Sequence, residues 1–145
     1  MRWAAIIPYR ENGGKSRLSE LLSPEERKRL GRNMFAHVHA VLAACSAIEE
    51  IILLGDVAPG FWSASFERDE GRGLNAELAD LVARRSSGPT LIIHADLPLL
   101  AIPEVGDLLA KAGRSGYALA PDRAATGTNA LALLDPIGFA FHFAP

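Results

Sequence analysis

The residues best suited to chemistry are few, and they fall between apolar runs. Asp96 follows Thr90-Leu-Ile-Ile-His-Ala95, where β-favouring and apolar residues lead straight into one carboxylate. A continuous apolar run bounded by turn signals reads as a strand buried on both faces. Pro98 stops that strand from continuing as a paired ladder. Asp96 is therefore expected just past the carboxyl end of a central strand, the edge at which open α/β sheets bind ligands. A carboxylate there suits a divalent metal held against phosphate oxygens. The loop Tyr9 to Leu18 carries Gly13, Gly14, Arg10, Lys15 and Arg17. Its glycines let the backbone approach an anion, Lys15 adds a point charge and Arg17 a planar fork. The Walker spacing, with Lys-Ser/Thr directly after the second of two glycines separated by four residues, is absent. Thr126-Gly127-Thr128-Asn129, after Pro121-Asp122-Arg123, offers hydroxyls and an amide to a small acid or a phosphate. Gly71 and Gly73 mark a further loop of close approach, ahead of Leu74 and Asn75.

The elements that must position these groups alternate. Trp3–Ile7 reads as a first strand closed by Pro8, and Ile51–Leu54 as a second ended by Gly55. Between them Ser23-Pro-Glu-Glu26 is a capping box with proline in the first turn. The helix it opens is expected to run to about Cys45, with Leu30, Met34, Phe35, Val38, Val41, Leu42 and Cys45 as its apolar stripe. His37 and His39 lie off that stripe and are expected in solvent. Phe61, Trp62 and Phe66 suggest a short strand or a packed loop. Asn75 is expected to cap a helix holding Leu78, Leu81 and Val82, and the free N–H groups of that helix start favour anions. His94 reads as a core histidine. Ile102-Pro-Glu104 opens a helix to about Ala112. Strands are expected at Tyr117–Ala120 and Ala130–Leu134, and a last one at Phe139–Phe143. Repeated βα units with short connections predict a three-layer α/β/α sandwich with a mostly parallel sheet.

The totals narrow the function. A chain of 145 residues fits one domain, residues 1–145, with a real core. A net charge of −2 gives no basic excess for nucleic acid and no basic face for a membrane. The single cysteine, Cys45, excludes an internal disulfide framework and a cysteine-built metal site. The longest apolar runs fall far short of a membrane span and the first residues lack a signal-peptide pattern, so a soluble, cytoplasmic protein is expected. Cations and amides for phosphates, a carboxylate for a metal and hydroxyls for a second substrate make up the outfit of a nucleotidyl transferase. Positioning and charge neutralisation supply most of the barrier reduction in such chemistry.

One family matches these features in order along almost the whole chain. Ile7-Pro8, Lys15-Ser-Arg17-Leu18, Leu22-Ser-Pro-Glu-Glu-Arg27, Gly73-Leu-Asn75-Ala76, Ala95-Asp-Leu-Pro98-Leu-Leu100 and Pro121-Asp-Arg123 followed by Thr126-Gly-Thr-Asn-Ala-Leu131 resemble the 2-phospho-L-lactate guanylyltransferase family (CofC type) of coenzyme F-420 biosynthesis. The resemblance implies a Rossmann-like nucleotide-diphospho-sugar transferase fold with a mostly parallel mixed sheet. It implies transfer of GMP from GTP to 2-phospho-L-lactate, phosphoenolpyruvate or 3-phosphoglycerate, with release of pyrophosphate. Asp96 would bind Mg²⁺ as the metal ligand, and Lys15 and Arg17 would hold the triphosphate; these three carry the catalysis. Pro8, Gly73, Leu74, Asn75 and Pro98 would join them at the nucleotide, and Asp122, Gly127, Thr128 and Asn129 would hold the acid. The family continues with a Gly-Pro-x-Ser stretch and a second acidic ligand, whereas Ala144 stands here at the glycine and Pro145 is the last residue. The expectation is a chain short of the family's C-terminal segment, with one carboxylate ligand. The apolar run Phe139–Phe143 is expected to form an unfinished edge for a second subunit, giving a homodimer. Two alternatives stand beside this reading: a nucleotidyl transferase of the molybdenum-cofactor type on the same fold, and a non-catalytic nucleotide binder.

Overall fold

The computed structural model describes residues 1–10, 21–85, 88–124 and 127–143. Gly13, Gly14, Lys15, Arg17 and Thr126 lie outside them. Among the described residues nine elements follow one another: β1 (Trp3–Pro8), α1 (Pro24–Ala43), β2 (Ile48–Gly55), β3 (Ser65–Arg68), α2 (Leu74–Arg84), β4 (Thr90–Ile93), α3 (Ile102–Ser115), β5 (Tyr117–Pro121) and β6 (Thr128–Leu133). The strands form one sheet in the order β3-β2-β1-β4-β6-β5. β1 pairs in parallel with both β2 and β4, and β2 with β3. Of these strands only β6 runs against the rest, antiparallel to β4 and β5.

Strand alternation explains the apolar runs. Ala5, Ile7, Leu53, Leu91, Ile93, Ala130 and Ala132 face α1 and α3, where Phe35, Val38, Leu42, Val105 and Leu109 complete one core. Ile6, Ile52, Leu54, Ile92, Leu131 and Leu133 face the other way, onto Leu78, Leu81 and Val82 of α2 and onto Phe141. Each fully buried Leu or Ile contributes about 1.5–3 kcal/mol, so the double-sided centre outweighs any local signal. Local signals still set the ends. Ser23 Oγ accepts the Glu26 N–H and the Glu26 carboxylate accepts the Ser23 N–H, an interaction worth about 1 kcal/mol. At the far end of α3, Gly116 takes φ 93° and its N–H reaches Ala112 O at 2.8 Å, a left-handed stop that favours glycine.

The structure departs from the sequence-based expectations in several places. β2 begins earlier, at Ile48, because Trp3 supplies it with a parallel partner there. Phe66 lies in a short strand, β3, at the sheet's edge, one of the two outcomes expected for it. Phe139–Phe143 is not a strand. A turn precedes it at Pro136–Phe139, and Phe141 is buried over the α2 face of the sheet, so the run covers a core instead of pairing as a strand. His37 and His39 are half-buried rather than free in solvent. His37 Nε2–H donates to Leu100 O at 2.8 Å, and His39 packs edge-on to Trp62 with centroids 5.0 Å apart. Cys45 is core as expected: it is buried, its Sγ–H faces Val41 O, and burial pushes its thiol pKa up. Among the described residues, no helix is long and apolar enough to cross a membrane.

The ends of β1 and β2 meet closely. Tyr9 N–H donates to Leu54 O at 2.9 Å, and a Cβ on Gly55 would collide with Tyr9 O and lie 2.8 Å from Leu53 Cδ2. Because the first obstacle is backbone, the strand ends themselves must move. Gly55→Ala is expected to destabilise the chain by about 1–3 kcal/mol, as overpacking does, read as a lower urea midpoint with unchanged m-value.

Candidate active site

The topology brings the loops together. β1 has β2 on one side and β4 on the other, so the chain turns in opposite directions from its carboxyl end, the switch point at which open α/β sheets bind ligands. The segments after Pro8, Arg68, Ile93 and Pro121 all leave from this edge, and β6, running the opposite way, starts on it at Thr128.

Among the described residues, two pockets open there. The larger, of about 740 Å³, lies between the loop after β4, the β5–β6 hairpin and α3, and is lined by Asp96, Pro98, Asp122, Arg123, Asn129 and Lys111 among others. Asp96 is exposed at its rim. Pro98 sits in a turn closed by Leu100 N–H on Leu97 O at 3.2 Å, and His37 fastens that turn to α1. Asn129 is held beside the strand end by His94 N–H on Asn129 O at 3.1 Å. The hairpin is tight: Asp122 N–H donates to Gly127 O at 2.9 Å, and a Cβ on Gly127 would come within 2.8 Å of Asp122 Oδ2. Gly127 and Thr128 are half-buried in the hairpin, next to the pocket-lining Asn129.

The second pocket, of about 320 Å³, is lined by Pro8, Tyr9, Arg10, Leu54, Asp69, Gly71, Gly73 and Leu74. Three of the five residues expected to join Asp96, Lys15 and Arg17 at a nucleotide, Pro8, Gly73 and Leu74, thus meet in one place, while Pro98 lines the larger pocket with Asp96. Asn75 does not cap α2. Gly73, at φ 95°, is the N-cap, and the Asn75 amide instead pairs with backbone: Nδ2–H donates to Phe143 O at 2.9 Å and Oδ1 accepts Phe143 N–H at 2.7 Å. Phe143 in turn lies edge-on to His94, centroids 5.4 Å apart. Segment 141–143 therefore runs between the start of α2 and the end of β4.

Several residues of the site were not singled out in the sequence. Asp69 and Tyr9 line the smaller pocket, beside the loop cation Arg10 noted above, and Lys111 lines the larger. Glu77 is the least expected: a helix-start glutamate normally faces water, yet this one is 2% exposed. Its only advance signal was the glycine-flanked Arg72 five residues earlier. The Arg72 guanidinium, helped by the Arg72 and Glu70 N–H groups and opposed by burial, lowers the Glu77 carboxyl to about 2.

Charge decides what the larger pocket accepts. Asp96, Glu104, Asp107 and Asp122 face it against Lys111 and Arg123. Among the described residues carboxylates thus outnumber cations in this lining, a balance suited to a cation or to an anion that arrives with one. Among the described residues, no group of three His, Cys, Asp or Glu side chains is placed to hold a metal. Asp96 and Asp122, which line the pocket, are oxygen donors of the kind that Mg²⁺ takes one or two at a time, completing its shell with waters and substrate phosphates.

His94 gives a measurable pH dependence. Burial is the largest influence and lowers its pKa below 6.5, against the pull of Asp96 and of the Thr128 backbone. Between that lowered value and about 6.5 the unfolded chain binds a proton that the fold refuses, so stability rises with pH. The contribution is complete above about pH 6.5 and is lost as pH falls through the window below it. His94→Gln is expected to flatten this part of the profile, seen in urea midpoints taken from about pH 8 down to about pH 5.

The chain matches the family described as Guanylyl transferase CofC like over residues 3–144. It is 36% identical to a phosphoenolpyruvate guanylyltransferase of Sphaerobacter thermophilus, over 94% of this chain and 70% of that one. It is 34% identical to a 2-phospho-L-lactate guanylyltransferase of Methanocella arvoryzae, over 73% of this chain and 47% of that one. In structure it resembles a protein described as a nucleotide-diphospho-sugar transferase from Desulfovibrio desulfuricans, with TM-score 0.76 and 14% identity over 92% of this chain and 64% of that one. A 2-C-methyl-D-erythritol 4-phosphate cytidylyltransferase from Thermus thermophilus follows at TM-score 0.55 and 18% identity, over 92% and 71% of the two chains. The structural likenesses show the fold, and the sequence matches show the family: the chain belongs to the CofC-like guanylyl transferases.

Proposed function

We propose that this chain transfers GMP from GTP to a small phosphorylated acid, either phosphoenolpyruvate or 2-phospho-L-lactate, with 3-phosphoglycerate as a third candidate, in the biosynthesis of coenzyme F-420. The observation that carries the reading is the pair of pockets on one sheet edge, one walled by Pro8, Gly73 and Leu74 and the other by Asp96, Pro98, Asp122 and Asn129. The names of the relatives support both substrates.

In this reading the guanosine sits against Gly71, Gly73 and Leu74, and the triphosphate points across the ends of β1 and β4 toward Asp96. Lys15 and Arg17, expected on the loop after β1, would hold the phosphates and the departing pyrophosphate. Thr128, Gly127 and Asn129, with Asp122, would hold the acid. An oxygen of the acid's phosphate bonds to the α-phosphorus of GTP, and the bond from that phosphorus to the bridging oxygen breaks. Pyrophosphate leaves with the electron pair, and no enzyme nucleophile or proton transfer is required. Asp96 is the proposed ligand of Mg²⁺, which would draw charge from the phosphate oxygens and reduce the repulsion between two anionic reactants. The protein's own part is to align the two phosphates and hold their charge in place.

The test is pyrophosphate release with GTP, Mg²⁺ and each acid in turn. Turnover is expected with at least one acid, and Asp96→Ala is expected to lower it by about a hundredfold or more. Equal turnover in Asp96→Ala would overturn the metal assignment. Equal rates with ATP or CTP would overturn the guanosine assignment. Stabilisation by GTP with no turnover would make the chain a nucleotide binder instead.

A further inference from the structure

Glu77 stands on the first turn of α2, and its carboxylate turns back toward the loop that precedes its own helix. Oε2 accepts the backbone N–H of Glu70 at 3.1 Å, that of Arg72 at 3.1 Å and Arg72 Nε–H at 3.0 Å. Oε1 accepts from the other arm of the Arg72 fork at 2.9 Å. The Glu77 N–H meets Gly73 O at 3.0 Å. Between the two amides that Glu77 holds, Gly71 N–H is taken by Asp69 Oδ1 at 2.7 Å. Three successive amides of the loop are therefore committed to carboxylates of the protein.

That commitment has a chemical result. A run of free N–H groups would make a nest for phosphate, but here the N–H groups point at Glu77 and Asp69. Asp69 lines the smaller pocket with Gly71 and Gly73, and its carboxylate is an acceptor with lone pairs beyond the one given to the Gly71 N–H. Guanine presents N–H donors on one edge, so the smaller pocket suits the base better than the triphosphate. Gly71 at φ 83° and Gly73 at φ 95° hold a shape that L side chains rarely adopt, and such a shape lasts only when its surroundings fix it.

We propose that Glu77 is the positioning residue of the nucleotide pocket, holding residues 70–73 in the shape that lets Gly71 and Gly73 wall the guanosine. The assignment rests on the reading that this pocket takes GTP. Arg72 is the secondary clasp: it is about half exposed and also shared with Asp80 at 3.3 Å, whereas the carboxylate it grips is buried.

The experiment compares wild type, Glu77→Gln and Asp80→Asn. Glu77→Gln keeps the size of the side chain and loses the charge. Asp80→Asn removes a carboxylate from the same helix that also pairs with Arg72 but makes no bond to the loop amides. Glu77→Gln is expected to raise KM for GTP about tenfold, the worth of a hydrogen bond to a charged group, with KM for the acid close to wild type and the melting temperature lowered, since the buried charge also holds Arg72. Asp80→Asn is expected to leave both KM values unchanged. Hydrogen exchange is expected to quicken at the Glu70 and Arg72 amides of Glu77→Gln and not elsewhere in the sheet. An unchanged KM for GTP overturns the assignment, as does a joint rise of both KM values. Should Glu77→Gln not fold, Arg72→Gln removes the guanidinium bonds alone, and no rise in KM for GTP there also overturns it. A wild type that binds no GTP defeats the reading of the pocket, and this assignment with it; a wild type that turns over beside an unaffected Glu77→Gln defeats the assignment alone.

Discussion

The pairing of β1 with β4 is the constraint on which the rest depends. Both strands are buried on both faces, and they run side by side and in the same direction. Parallel neighbours must be joined by long crossovers, and here the chain leaves β1 toward β2 and returns from β3 to β4 on the other flank. The crevice at their carboxyl ends follows from that reversal. The polar loops need no attraction for one another to converge, because each is delivered to the same rim by a strand whose direction is set by apolar burial.

On that rim the protein spends its carboxylates in two ways. Glu77 on α2 and Asp69 on the loop before it take three successive N–H groups of that loop. Asp96 and Asp122 face the larger pocket. A buried carboxylate gripped by two amides and a guanidinium gives rigidity. One at an open rim meets what arrives from solvent. The exposed pairs farther along α2, such as Arg84 with Glu67 and Asp80, belong to neither group, and contacts of that kind contribute about 0–1 kcal/mol.

Much of this was legible in the sequence, for identifiable reasons. Double-sided burial forces an unbroken apolar run, so β1, β4 and β6 could be located and Asp96 placed at a strand end. Ser23-Pro-Glu-Glu26 is a short-range code and was readable without tertiary context. What escaped depends on distant partners. The polar start of β2, Glu49 and Glu50, carries no strand signal and is paired only because β1 lies beside it. The alternating aromatics at 139–143 have a strand's period, yet the neighbour that Phe143 finds is a side chain from α2. Asn75 has the chemistry of a cap, but a glycine with positive φ had already taken that position. The histidines of α1 fall off the apolar stripe and still find partners, because loops from elsewhere close over them. The roles of Lys15 and Arg17 rest on residue type and family resemblance alone.

The way Asn75 holds Phe143 sets unequal demands on the two positions. The amide imitates a peptide group and touches only main-chain atoms of its partner, so the fastening is blind to which side chain stands at 143. Position 75 has no such freedom, since few side chains offer a donor and an acceptor on one short planar arm. Drift along the family should therefore be tolerated at one end of this clasp, within the limits of apolar packing on His94 and Phe141, and resisted at the other.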